Sequence, residues 1–274
     1  MSVVFEKRTI APFPIGFYDD LHPDISVNFQ MNRFYNWVGD DSMLSEMREA
    51  AKGITDYPTF SNTFIDLDEK TLAKGSTLKG AYYLRLADFF IPSGDPRKLT
   101  ERRRFVALVL DFFAVPASAN SHIPYESGWL SSYRFTPEKP RGVIVVFGGF
   151  DSHIEEWLPA AITLVNAGYD TIMFEGPGQG AVLEDAHIPM TVEWEKPVKS
   201  ILDYYKLNDV TLIGFSLGGG LVVRAAAYEP RVRRMIAYDI LTDMLEVTLR
   251  GLQPTVRSEI VGWLDSKNEA ALND

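Results

Sequence analysis

Apolar and polar positions change their period near residues 115 to 140. From about Asn32 to Ala114 the spacing is helical. Leu44, Met47, Ala51 and Ile54 fall on one stripe, and Tyr82 or Tyr83, Leu86, Phe89 and Phe90 on another. Phe105, Leu108, Val109, Phe112 and Phe113 make a third. Pro92-Ser-Gly-Asp-Pro96 breaks the last two stripes and predicts a helical hairpin. Most of the phenylalanines lie in this half, where helix-on-helix packing accounts for them and lining of an apolar pocket is the alternative.

From Gly128 onward strands and helices alternate. Trp129–Phe135, the polar turn of residues 136–142 and the apolar run Val143–Phe147 read as a hairpin entering a buried parallel strand. A helix over Ile154–Ala167, a strand over Asp170–Phe174 and a helix over Glu195–Leu207 follow. Next come a strand over Asp209–Ile213, a helix over Leu217–Ala227 and a strand over Arg234–Tyr238. This alternation predicts an α/β fold with a doubly wound parallel sheet behind an N-terminal helical domain. The predicted division is a helical domain at 1–125, an α/β core at 126–240 and the start of a helical cap insertion at 241–274.

Composition narrows the functional classes. A formal net charge of -10 disfavours a nucleic-acid partner, whose phosphates call for clustered Lys and Arg. The runs Arg102-Arg103-Arg104 and Arg231–Arg234 are short and read as solvated faces. With no cysteine, a disulfide framework and a thiol nucleophile are excluded. His22, His122, His153 and His187 lack metal-ligand spacing, so no metal site is expected. No apolar run reaches membrane-spanning length and the first residues carry no apolar leader pattern, so a soluble cytoplasmic protein without a membrane partner is expected.

Chemistry concentrates in Gly214-Phe215-Ser216-Leu217-Gly218, between an apolar strand and a helix opening on small residues. A serine on a sharp strand-to-helix turn projects its Oγ above the sheet edge, and side chains two residues away on either side would collide with the turn. Ser216 is the expected nucleophile. The Leu217 amide, at the positive end of the helix, is the first expected oxyanion donor. Gly148-Gly-Phe-Asp-Ser152 emerges at the carboxyl end of the neighbouring strand, and the Phe150 amide is the expected second donor. Glu175-Gly-Pro-Gly-Gln-Gly180 lacks the Lys-Ser/Thr ending of a phosphate loop and reads as a tight turn past the active-site mouth. His153 and His187 read as surface or cap residues rather than bases. Asp243 reads as a helix N-cap with Glu246 three residues on, the alternative being an acid near the substrate.

These three ordered motifs, with Glu155-Glu156 and with Tyr82-Tyr83, Ala87, Phe89 and Asp95-Pro-Arg-Lys98 in the helical half, resemble the α/β-hydrolase family of FrsA-like esterases and 2,6-dihydropseudooxynicotine hydrolase. The resemblance covers about residues 30–245. It implies a helical domain packed over a hydrolase core, no cofactor, and a small-molecule substrate held between the two. The implied reaction is hydrolysis of an ester or of a carbon–carbon bond next to a ketone. By position Ser216 is the implied nucleophile, Leu217 and Phe150 the implied oxyanion hole, and Glu246 falls near a cap-region acid of the carbon–carbon branch. The family brings its acid and histidine after two further strands, in the order Ser, Asp or Glu, His. No histidine follows Ser216 here, so both are expected beyond Asp274, with this chain the N-terminal part of a longer hydrolase. Alone, it is expected to leave its last strand edge unpaired, to expose apolar surface or self-associate as a homo-oligomer, and to be a poor catalyst. The alternative reading is a non-catalytic protein of the same fold that binds a ligand or partner.

Overall fold

The computed structural model describes residues 3–4, 8–10, 18–92, 94–239, 241, 243–250, 258 and 261–262. Five helices come first: α1 (Ile25–Val38), α2 (Asp41–Ala51), α3 (Tyr57–Leu72), α4 (Thr77–Phe90) and α5 (Pro96–Phe112). Aspartates start four of them. Asp24, Asp40, Asp56 and Asp95 each accept a backbone N–H of the first turn, satisfying donors that a helix start leaves free. Gly39 closes α1 at φ 65°, where a side chain would be strained. The break at Pro92–Pro96 turns α4 back into α5 as expected, with Pro96 at the start of α5.

The stripe expected on α4 is instead burial on every side. Every residue from Lys79 to Asp88 is buried, so Tyr82 and Tyr83 are both interior. Tyr83, Leu86 and Ala87 pack with α1, α2 and α3, and Ala81 and Leu84 pack with α5 and the sheet layer. α4 is therefore the central helix of the helical layer, and its charged residues Lys79, Arg85 and Asp88 are paired within that layer.

The sheet contains β1 (Val3–Val4), β2 (Asn120–Tyr125), β3 (Gly128–Thr136), β4 (Val143–Phe147), β5 (Asp170–Glu175), β6 (Val210–Phe215) and β7 (Val232–Tyr238). Its order is β1-β3-β5-β4-β6-β7, with β2 also on β3. The strands β5, β4, β6 and β7 run parallel, whereas β3 is antiparallel to both β2 and β5. The expected hairpin of β3 with β4 is therefore incorrect. The true hairpin is β2–β3, closed at Tyr125↔Gly128, and β5 lies between β3 and β4. The polar connection 137–142 is long enough to step across β5, and β4, apolar on both faces, takes a parallel neighbour on each side. β2 falls on the helical side of the boundary expected at 125–126 but belongs to this sheet.

Helices cover both faces. α6 (Leu158–Asn166) packs with α5 over Val146 and Tyr133 on one face. α8 (Glu195–Tyr205) and α9 (Leu217–Tyr228) pack over Val145, Phe147, Ile172 and Phe174 on the other, beside the short α7 (Gly180–Glu184). β7 pairs with β6 on one side; Met235, Ile236 and Tyr238 are 46%, 50% and 60% exposed, so the last strand is the least covered of the parallel set. A final helix, α10 (Met244–Arg250), starts with Glu246 N–H donating to Asp243 Oδ1, the N-cap read from the sequence. Of the cap insertion expected at 241–274, the part beyond Arg250 lies outside the described residues apart from Ser258, Val261 and Gly262. Among the described residues no helix is long and apolar enough to cross a membrane.

Candidate active site

β6 delivers the chain to Ser216, which adopts φ 58° and ψ −121° before α9 begins at Leu217. A non-glycine residue at positive φ is strained and persists only where its surroundings hold it. Here Ser216 N–H donates to the Tyr238 carbonyl at 2.8 Å, and its own carbonyl accepts Gly219 N–H at 2.8 Å. The flanking glycines are required by close approach: a Cβ on Gly214 would enter the Gly218 carbonyl, and one on Gly218 would sit 2.5 Å from the Gly148 carbonyl oxygen. Ser216 is exposed. Leu217 N–H, at the start of the twelve-residue α9, is taken up by no hydrogen bond among the described residues.

The loop 148–152 leaves β4 and touches this turn. A Cβ on Gly149 would lie 2.9 Å from Ser216 Cβ and 3.2 Å from Leu217 N. Around the loop, Gly149 N–H donates to Ser152 Oγ at 3.0 Å. Gln179 Nε2 donates to the Gly148 and Gly149 carbonyls at 2.8 and 2.9 Å. Arg85 Nη2 donates to the Asp151 carbonyl at 2.6 Å. Phe150 is 59% exposed and its N–H, like that of Leu217, enters no hydrogen bond among the described residues. The expected nucleophile and both expected donors thus sit on two segments that touch at Gly149 and Ser216.

Residues 175–180 support the loop from below. Glu175, buried at the end of β5, accepts Ile154 N–H at 3.0 Å and Ala181 N–H at 2.8 Å. Burial and the neighbouring carboxylate of Glu155 push its pKa up to about 8. Burial likewise raises Glu155, whose Oε1 accepts the Tyr133 hydroxyl at 2.8 Å. The segment is a turn, as expected, and one that reaches the 148–152 loop through Gln179.

A buried ionic network, missed in the sequence, joins the helical layer to the same loop. Glu156 pairs with Arg33 and with Arg85, whose Nε lies 3.1 Å from Glu156 Oε2, and Arg85 Nη1 reaches Asp88 Oδ2 at 3.0 Å. His153, expected at the surface or as a cap, is buried with Nε2 2.9 Å from Asp88 Oδ2. Its partner is 65 residues away in sequence, so no local pattern announces the pair. Arg102, expected to be solvated, is also buried and pairs with Glu184 and Asp185, which α7 brings over α5. Arg103 and Arg104 keep more solvent and pair with Asp185 and Asp68.

Burial and the Arg85 charge lower the His153 pKa to about 4, against the partial opposition of Asp88. A base held below its unfolded value stabilises the fold above about pH 6.5, and that contribution is lost as pH falls through about 4. The His153 ring is therefore expected to give neutral-imidazole NMR signals from pH 7 down to about 5. A titration midpoint near the ordinary 6.5 would contradict the buried pair.

His22 Nε2 lies 3.2 Å from the Ile54 carbonyl, His122 stacks on Trp129 at 3.8 Å, and His187 is exposed after α7. Glu246 pairs with Arg250 on α10 at 2.9 Å.

Comparison with known proteins gives the same fold. The family model described as "alpha/beta hydrolase fold" matches residues 142–272. Hydrolase acrC of Aspergillus aculeatus is 30% identical over 225 residues, covering 70% of this chain and 50% of that protein. The 20-hydroxy-prefusarin hydrolase FUS2 of Gibberella moniliformis is 29% identical over 220 residues, 72% of this chain and 52% of that protein. This chain therefore spans about half the length of the curated relatives it matches. A crystal structure of 2,6-dihydroxy-pseudo-oxynicotine hydrolase aligns with TM-score 0.54 at 24% identity, covering 77% of this chain and 65% of that one. With the strand order described above, these matches give the chain the α/β-hydrolase fold and make it similar to hydrolases that share it.

Proposed function

We propose that the protein is a serine hydrolase acting on an ester, or on a carbon–carbon bond activated by a ketone, in a fairly apolar small molecule. The observation that carries this reading is the exposed Ser216 at φ 58°, with the unused amide of Leu217 next in the chain and that of Phe150 on the loop that touches it. In the first step Ser216 Oγ attacks the substrate carbonyl carbon while its proton passes to a base. The carbonyl oxygen becomes an oxyanion held by the two amides. Collapse breaks the bond to the leaving group, an alcohol oxygen or the enolate carbon of a ketone, which takes up a proton. Water then hydrolyses the acyl-serine and regenerates Ser216.

The four histidines have the placements given above, and the reading assigns none of them to the proton of Ser216. The small-molecule class is supported by the relatives, one of which is named for 20-hydroxy-prefusarin. The test is turnover of an activated p-nitrophenyl ester by the protein expressed from its complete coding sequence, beside its Ser216→Ala variant. Turnover that survives the substitution contradicts the reading.

A further inference from the structure

We infer that Gln179 is a positioning residue for the oxyanion hole: its side-chain amide fixes the Gly149–Phe150 peptide so that the Phe150 N–H faces the Ser216 side. The inference rests on the reading of Ser216 as a nucleophile. Its physical basis is the peptide itself. The Gly149 carbonyl and the Phe150 N–H belong to one planar unit, no peptide bond among the described residues is cis, and in a trans peptide the two groups point to opposite sides. Gln179 is 1% exposed and holds the Gly149 carbonyl from beneath at 2.9 Å. The Phe150 N–H is thereby turned away from the interior, toward the open side on which the exposed Ser216 lies.

Gln179 is in turn fixed at both ends of its amide. Oε1 accepts Gly176 N–H at 2.9 Å, and Nε2 serves the Gly148 and Gly149 carbonyls. Only one orientation of the amide satisfies one donor and two acceptors, so the group cannot flip without losing all three bonds. The alternative donor in the loop is already committed, since Gly149 N–H is bound to Ser152 Oγ. Gly149 has no side chain to resist rotation of the following peptide, so without Gln179 that peptide is free to turn. An oxyanion donor is effective only when aimed before the charge develops, and Gln179 supplies that aim from outside the reacting atoms.

The test is Gln179→Glu. The carboxylate keeps an acceptor for Gly176 N–H but sets an oxygen against two carbonyl oxygens. The crystal structure of the variant is expected to show the 149–150 peptide rotated. With the same p-nitrophenyl ester, kcat is expected to fall about 100- to 1,000-fold with KM little changed, since a donor that acts in the transition state is lost. Affinity for a trifluoromethyl ketone, whose adduct fills the oxyanion hole, is expected to fall with kcat. A merely structural role would move neither kcat alone nor the analogue in parallel. If Gln179→Glu does not fold, Gln179→Met, which keeps the volume and removes the bonds without repulsion, is read in the same way, with a smaller fall in kcat. An unrotated peptide in the folded variant overturns the inference. A rotated peptide with unchanged kcat also overturns it, while leaving Ser216 as nucleophile. An unreactive Ser216 in the unaltered protein sinks the hydrolase reading instead, and the rotation arm still decides whether Gln179 holds the peptide.

Discussion

Replacing Ser216 with alanine is expected to lower kcat by about 10,000-fold or more while leaving KM and stability nearly unchanged. The size of the fall follows from the role: without Oγ no acyl-enzyme forms, and only binding and the oxyanion amides remain to act on a water molecule. The stability expectation follows from the site. Ser216 is exposed and its hydroxyl enters no hydrogen bond among the described residues, while alanine carries the same positive-φ penalty. A change within about 0.5 kcal/mol is therefore expected in urea denaturation. Kinetics within about tenfold of the parent would contradict the nucleophilic role, because none of the other steps could compensate for loss of covalent attack.

The second large effect is on stability. Glu156 is fully buried between two guanidiniums, those of Arg33 and Arg85. Burial pushes its pKa up and Arg33 and Arg85 pull it down. Glu156→Ala would leave the buried Arg85 with Asp88 as its remaining carboxylate and the half-buried Arg33 with Asp151, both facing a cavity, and breaking a buried pair from one side costs about 3–5 kcal/mol. Much of this is the cost of the cations left behind, so a further change of Arg33 to Met in the same variant should recover part of it. The effect should also reach the active site. Arg85, freed from Glu156, still carries the Asp151 carbonyl of the 148–152 loop, and its drift would loosen that loop. A loss below about 1 kcal/mol in denaturant titration would show that the network is not a structural link between the helices and the sheet.

The legible parts of the chain were those whose cause is local. The strands β4, β5 and β6 are legible because each carries an apolar centre of the kind a strand buried on both faces needs, Val143–Phe147, Ile172–Phe174 and Leu212–Ile213. The turn at Ser216 announced itself because close backbone approach admits only glycine at 214 and 218. What the sequence concealed depends on distant partners. β2 carries Ser121, His122 and Pro124 and turns only Ile123 and Tyr125 inward, so it reads as loop until β3 is beside it. The order β3-β5-β4 is set by pairing across a connection whose length does not specify a neighbour. His153 and Arg102 look like solvated polar residues because their partners come from Asp88 on α4 and from Glu184 and Asp185 at α7. Gln179 did leave a signal: a long polar side chain in a glycine-rich turn beside a predicted oxyanion loop is placed to bind backbone.

The central claim is that Ser216 is the nucleophile, and a fluorophosphonate tests it most directly, because the reagent bonds covalently only to an activated hydroxyl. The protein expressed from its complete coding sequence, treated with the reagent and digested, is expected to carry one adduct on the peptide containing Ser216, absent after Ser216→Ala. A folded protein that stays unmodified, or whose adduct lies on another residue, would contradict the account.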